Sequence, residues 1–284
     1  MTSPGLYVTH LVAAKRGSSA SECEDVVSVL PEAPFDELIE GPVAASVCDG
    51  ATESVLAKDW AFVLASASAA RALSEPHFFK AGPTFEEFAT DVVNRWDPWL
   101  DEYACRRAAA GRPLKWYEQA KLAGSTFATM LSVRVAPSSP PDACSEAVQP
   151  IFEWRWQAAA LGDSCLFHIR DDLPIRSFPI ENADEFGTNP DLFGSRNRDT
   201  ALLMARTRFA EGVCLPGDRL LLMSDALAAW FLAADNSITA LHELLEFGGP
   251  HDASGFTDWL EKLRDRQELR NDDVALIRID VEGR

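Results

Sequence analysis

The chain has 284 residues, an apolar fraction of 47%, a charged fraction of 25% and a formal net charge of −18. That composition supports a substantial core in one large domain or two small ones. The acidic excess argues against a nucleic-acid or anionic-membrane partner, since both require basic patches, and fits either a well-solvated surface or a cation-binding protein.

In chain order, residues 5–14 and 25–31 read as short strands separated by the polar loop "KRGSSASECE", and residues 41–48 as a third, apolar strand. This last run stops at Asp49-Gly50 within "SVCDGATES". Asp-Gly is a strong turn signal, and a carboxylate ending a buried strand is also placed to do chemistry; this stretch alone leaves both readings open. Ser54 to Leu73 is Ala-rich with Pro76 just beyond, which predicts a helix and its stop. Phe85, Phe88, Val92, Trp96, Trp99 and Tyr103 recur at steps of three and four, so a second helix packs these aromatics into a core. Pro98 is expected to interrupt it, with Asp97 capping a restarted helix.

Strands return near residues 126–136, and "PSSPPDACSE" reads as a surface loop. The stretch "FEWRWQAAALGDSCLFHIR" alternates at Phe152, Trp154, Trp156 and Ala158, turns at Gly162-Asp163 and resumes as an apolar strand, which is a hairpin. Residues 183–200 are polar and turn-rich, as in a mobile flap or loop. "DRLLLMSDAL" is a buried strand ending at Ser224-Asp225. Helices are expected at about 226–234, at 238–247 with Ser237 as N-cap, and at 256–269, before a last strand in "NDDVALIRIDV". Helices that come in batches, rather than alternating with strands, indicate mixed sheets covered by helices on their outer faces.

The longest apolar stretch, Leu220 to Ala234, is broken by Ser224 and Asp225 and is too short to span a membrane. The N-terminus carries its basic residues after the apolar run, the wrong order for a secretory signal. Cys23, Cys48, Cys105, Cys144, Cys165 and Cys214 are scattered without a C-x-x-C pair, as in reduced thiols of a cytoplasmic protein. His10, His77, His168, His242 and His251 show no zinc-site spacing.

Acids border five of the apolar segments. Glu24-Asp25 opens one strand, Asp49 ends another, Asp163 sits in the hairpin turn, Asp225 ends "LLLMSD", and Asp272-Asp273 opens the last strand. Each alone is an ordinary turn or cap residue. Strand ends meeting at one edge would bring them together, where like charges raise one another's pKa. Hard divalent cations resolve such repulsion, because carboxylate, carbonyl and water oxygens are the ligands that Mg²⁺ and Mn²⁺ prefer.

This order of motifs resembles the PPM/PP2C family of metal-dependent protein serine/threonine phosphatases, in its bacterial form, over nearly the whole chain. "ECEDVV" is similar to the family's N-terminal Glu-Asp motif and "VCDG" to its metal-bridging Asp-Gly. "GSTFATM" resembles the Gly-Ser/Thr-Thr strand start after two long helices, and "ALGDSCLFHIR" the Gly-Asp-Ser hairpin. "LLLMSDAL" resembles the Ser-Asp-Gly motif, and "NDDVALIRI" the terminal Asp-Asn strand.

The resemblance implies an α+β fold, a single PPM-type domain over residues 1–284 forming a four-layer αββα sandwich of two antiparallel sheets with helix pairs outside. It implies two Mg²⁺ or Mn²⁺ ions per chain and a weaker third. Asp49 would bridge two of them, with the Gly50 carbonyl on one; Asp225 and Asp272 would complete the other shell. Glu24 and Asp25 would hold metal-bound waters, and Asp163 would help bind the third ion. Two cations about 3.5–4 Å apart lower the pKa of a shared water and clamp the phosphoryl oxygens. The implied partner is a phosphoprotein, a Ser/Thr kinase or its target, with no nucleic acid or membrane.

The departures lie around this core. "ATES" follows Asp49-Gly50, so a histidine general acid is absent there, and Thr52 and Glu53 take up the loop. Glu53 is a further acid or a helix N-terminal charge. Ala226 replaces the glycine of Ser-Asp-Gly, and Asp273 stands where asparagine is usual. The family's phosphate-binding arginine falls at Ala20, which leaves Lys15 or Arg16, and Arg16 as the nearest guanidinium. The retained acids favour a working phosphatase; the altered loop and missing arginine favour a module of the same fold that binds a phosphorylated partner with weak or no turnover.

Overall fold

The computed structural model describes residues 4–34, 36–138, 153–187 and 189–283. In chain order the strands and helices are β1 (Gly5–Ala13), β2 (Asp25–Leu30), β3 (Val43–Asp49), α1 (Ala57–Ser74), α2 (Pro83–Ala109), α3 (Trp116–Leu122), β4 (Phe127–Ala128), β5 (Met130–Pro137), β6 (Trp154–Leu161), β7 (Cys165–Arg170), β8 (Leu173–Phe178), β9 (Phe193–Gly194), α4 (Thr200–Arg206), β10 (Arg208–Cys214), β11 (Arg219–Met223), α5 (Asp225–Ala233), α6 (Ser237–Leu245), α7 (Ala253–Asp265) and β12 (Val274–Glu282).

Two five-stranded sheets form, with strand orders β1-β12-β11-β7-β8 and β10-β6-β5-β3-β2, and every pairing is antiparallel. Side-chain alternation along each strand assigns three cores. In β3, Val43, Ala45 and Val47 enter the core between the sheets, where Leu220 and Leu222 of β11 and Ala275 and Ile277 of β12 meet them. Ala44 and Cys48 point the other way, onto Trp60, Leu64, Phe88 and Trp96 of α1 and α2. Leu221, Met223 and Phe167 face α5, α6 and α7 through Leu227, Leu241 and Leu260. The result is an αββα sandwich. Because β3 is buried on both faces, its sequence up to Cys48 is apolar except at Ser46, whose hydroxyl donates to Ser132 Oγ at 3.0 Å.

Several elements differ from the sequence expectation. Helix α2 runs through Pro98 without restarting at Asp97. Proline removes the hydrogen bond to Asn94, but Pro98 and Asn94 are both exposed, so the freed carbonyl is not sealed from solvent. The cap of α6 is Asn236, not Ser237; the Asn236 side chain accepts the N–H groups of Ile238 and Thr239. Helix α7 starts and ends earlier than expected, and Gln267 follows it at φ 60°. Helix α3 and the edge strands β8 and β10 were not anticipated; the first five residues of β8 and most of β10 lie at least partly in solvent and carry little apolar patterning. The stretch 183–200 contains strand β9, paired with β4, and the first residue of α4. The expected loop in "PSSPPDACSE" lies almost wholly outside the described residues.

Candidate metal centre

The pairing register gathers the acids. Asp25, first in β2, stands directly opposite Asp49, last in β3, and both follow the parity of the residues that face the inter-sheet core. Across the cleft, β11 ends at Met223 and Asp225 opens α5, while Asp272 and Asp273 precede β12. Asp163 lies in the turn from β6 to β7. One end of the cleft therefore holds Glu24, Asp25, Asp49, Asp163, Asp225, Asp272 and Asp273.

Backbone and hydroxyl groups fix these positions. Thr129 Oγ1 accepts the Asp49 N–H at 3.1 Å, and the Thr129 N–H donates to the Asp49 carbonyl at 2.8 Å. Gly50 donates its N–H to the Glu24 carbonyl at 3.2 Å. A Cβ on Gly50 would come within 2.8 Å of the Ala57 backbone, so glycine is what lets the start of α1 approach this turn. Ser224 and Ala275 clasp β11 to β12, with the Ala275 N–H donating to Ser224 Oγ at 2.8 Å. Asp273 accepts the backbone N–H groups of Lys15 and Glu24, each at 2.7 Å, and so positions the Glu24 loop rather than opening onto the cleft. Arg264, buried, donates to the Asp272 carbonyl at 2.6 Å.

The electrostatics are those of a crowded acid site. Burial pushes Asp25 well above the usual carboxylate range, and Asp49 adds to the shift. Burial, with Asp272 and Asp163 beside it, raises Asp49 to about 7, against the opposing charge of Arg270. Burial also raises Asp163. Asp25 Oδ2 and Asp163 Oδ1 are buried without a hydrogen-bond partner. Unpaired buried carboxylate oxygens are costly. An all-oxygen donor set with two such orphans fits hard divalent cations of the Mg²⁺ or Mn²⁺ kind.

Arg16 does not join the group, which corrects its placement at the phosphate. Its guanidinium pairs with Glu261 and Asp265 of α7, because the chain turns it outward onto that helix. Lys15 turns inward instead. Its Nζ lies 3.4 Å from Glu24 Oε2 and 3.3 Å from Thr52 Oγ1, and Thr52 donates to the same Glu24 oxygen at 2.7 Å. Burial opposes its charge, yet Asp273 and Glu24 hold Lys15 above its usual pKa. Thr129, Arg264 and Arg270 were not singled out from the sequence. Only Arg270 carried a signal, as a cation two residues before an acid in a cluster lacking countercharge. Asp49 and Asp272 open onto a groove of about 730 Å³ whose walls include Glu53, Val55, Lys121, Phe127 and Leu192.

Among the described residues the one group of potential ligand atoms drawn tightly together is the buried His168, Cys214 and Asp218; the carboxylates of the cleft stand further apart from one another. The His168 nitrogens and the Asp218 oxygens are already hydrogen-bonded. The Trp156 indole N–H donates to His168 Nδ1 at 3.3 Å, so the proton sits on Nε2, 2.8 Å from Asp218. Arg170 and the Leu215 N–H take the remaining Asp218 positions. Burial would raise Asp218, but these hydrogen bonds hold it below its usual pKa. These bonds make His168 and Asp218 a hydrogen-bonded strut between β7, β10 and β11.

No protein-family model matches the sequence, and no curated protein matches it. Among solved structures, a bacterial serine phosphatase is similar over 98% of this chain and 99% of its own, at 15% identity and a TM-score of 0.54. The Mycobacterium tuberculosis serine/threonine phosphatase PstP/Ppp is similar over 98% of this chain and 100% of its own, at 13% identity and a TM-score of 0.51. At such identities the likeness speaks for the fold alone: the chain has the αββα fold of the PP2C-type phosphatases.

Proposed function

We propose that this chain, as one domain over residues 1–284, is a divalent-metal-dependent phosphatase acting on phosphoserine or phosphothreonine in a protein, either a Ser/Thr kinase or its target, in the cytoplasm. The observation that carries the reading is that Asp25 faces Asp49 in the strand register, with Asp272 and Asp163 close enough to raise Asp49, Arg270 joining Asp225 to Asp272, and buried oxygens on Asp25 and Asp163 left unpaired. Asp49 and the Gly50 carbonyl would hold one ion and share Asp49 with a second at Asp225 and Asp272. Glu24 and Asp25 would orient water, and Asp163 would contribute to a third, weaker position. Bound there, Mg²⁺ or Mn²⁺ supplies Lewis-acid activation of the phosphoryl group and of water.

The chain's own residues do the rest. Asp273 fixes the backbone that carries Glu24 and Lys15. The Lys15 ammonium lies at the rim beside Thr52, where it can meet a phosphoryl oxygen. The groove beside Asp49 receives the protein segment flanking the phosphoresidue. A second reading, a phosphoprotein-binding module with little turnover, draws on Arg16, which is turned away from the cleft.

The test is hydrolysis of p-nitrophenyl phosphate and of a phosphothreonine peptide by chelator-stripped protein titrated with Mn²⁺. Reversible activation is expected. Chelator-resistant hydrolysis overturns the metal-dependent mechanism, and phosphopeptide binding without turnover in Mn²⁺ establishes the second reading.

A further inference from the structure

Two arginines approach the acid group, and they are held in different ways. Arg264 has a buried side chain, donating to the carbonyls of Ala14 and Asp272 and to Glu261 at 2.6 Å. It is a fixed strut beneath the strand start. Arg270 lies on the turn from α7 to β12, and its side chain is 42% exposed. Its guanidinium pairs with the Asp225 carboxylate, and its Nε lies 3.6 Å from Asp272 Oδ2. Asp225 opens α5 while Asp272 precedes β12, so this guanidinium reaches carboxylates on two different segments of the site. Among the described residues no backbone carbonyl holds it, and one side of the group faces solvent.

As an ion-pair partner the guanidinium neutralises the charge, and fills the space, that a cation at Asp225 and Asp272 would use. We propose that Arg270 is a tethered counter-cation that competes with a divalent ion for the carboxylates of Asp225 and Asp272. The inference rests on reading the acid group as a metal centre. Loading that position then requires the Arg270 side chain to swing outward, which its exposure permits. The apparent affinity there is weaker than the acids alone would give, so occupancy follows the free concentration of the ion. The swing also carries a planar two-pronged donor to the rim of the site, whereas Arg264 cannot leave.

The experiment is Mn²⁺ titration calorimetry on chelator-stripped wild type, Arg270→Gln and Arg270→Lys, with the unfolding temperature of each in EDTA and in saturating Mn²⁺. Arg270→Gln is expected to tighten Mn²⁺ binding at one position by about tenfold, as one half-exposed charge-assisted pair is removed. Its unfolding temperature should fall in EDTA but not in Mn²⁺. Arg270→Lys, which keeps the charge, should stay within about threefold of wild type. If Arg270→Gln unfolds in EDTA, metal-loaded protein is titrated instead with a competing chelator. Unchanged or weakened Mn²⁺ binding by Arg270→Gln overturns the proposal and leaves a plain structural ion pair. Absence of Mn²⁺ binding in all three proteins overturns the metal-centre reading itself and the proposal with it.

Discussion

The two carboxylate oxygens of Asp273 accept the backbone N–H groups of Lys15 and Glu24, each at 2.7 Å. The last strand thereby sets the position of the loop before the second. Asparagine has one acceptor oxygen where aspartate has two. Asp273→Asn should lose one of these part-buried bonds and Asp273→Ala both, about 1 kcal/mol for each. Denaturant unfolding in the presence of Mn²⁺ measures this, since the ions then offset the acid repulsion. Wild-type stability in Asp273→Ala would remove Asp273 from the positioning role.

Asp49→Asn should abolish metal-dependent hydrolysis and preserve the fold. An amide bridges two cations far less well than a carboxylate. It also removes one member of a repelling buried pair, so chelator-stripped Asp49→Asn should unfold at the wild-type temperature or above it. Steady-state turnover in Mn²⁺ and thermal unfolding in EDTA read the two effects. Near wild-type turnover would sink the assignment.

The stability of the stripped protein should fall as pH rises. Burial raises the folded-state pKa of Asp49 to about 7, above its unfolded value near 4. A raised carboxyl contributes stability that is fully present below the unfolded pKa and is lost as pH rises through the folded one. The unfolding temperature in EDTA should therefore drop between roughly pH 4 and 7 and level off above. In a chain of this size each kcal/mol corresponds to roughly 2–4 °C. Asp49→Asn should flatten that step, and saturating Mn²⁺ should remove it. A stripped protein equally stable at pH 5 and pH 8 contradicts the buried-acid account.

Lys15 and Arg16 should separate in kinetics. With its guanidinium paired to Glu261 and Asp265, Arg16 has little left for substrate, so Arg16→Ala should leave KM for a phosphopeptide within about twofold. Lys15→Ala removes the ammonium beside Glu24 and Thr52 and should raise KM by roughly tenfold, about 1.4 kcal/mol of binding. Mn²⁺ affinity measured alongside should change little in Arg16→Ala. The reverse order of effects would return the phosphate to Arg16.

Much of the fold was legible in local chemistry. Strand β3 announced itself as an apolar run with Ser46 its one polar residue before Asp49, and α2 through aromatics at helical spacing, because burial on two faces or on one stripe writes itself directly into composition. The acids at strand borders were visible for the same reason: each interrupts an apolar segment that had to be buried. Helix α3 was illegible because Trp116 and Tyr117 point into solvent and no apolar period exists to detect. Edge strands β8 and β10 hid likewise, each paired on one side only.

What the sequence determined by itself is which segments must be buried and which charged groups stand at their ends. Only the tertiary structure decided which of those charges meet. Asp25 faces Asp49 through a strand register. Beyond the end of β1, Lys15 turns inward to Glu24 and Thr52, while Arg16, in the turn that follows, meets Glu261 and Asp265 of α7. Arg270 reaches Asp225 across more than forty residues of chain because α5 and the β12 turn close the same end of the cleft. Such pairings depend on distances between segments remote in sequence, and no local pattern encodes them.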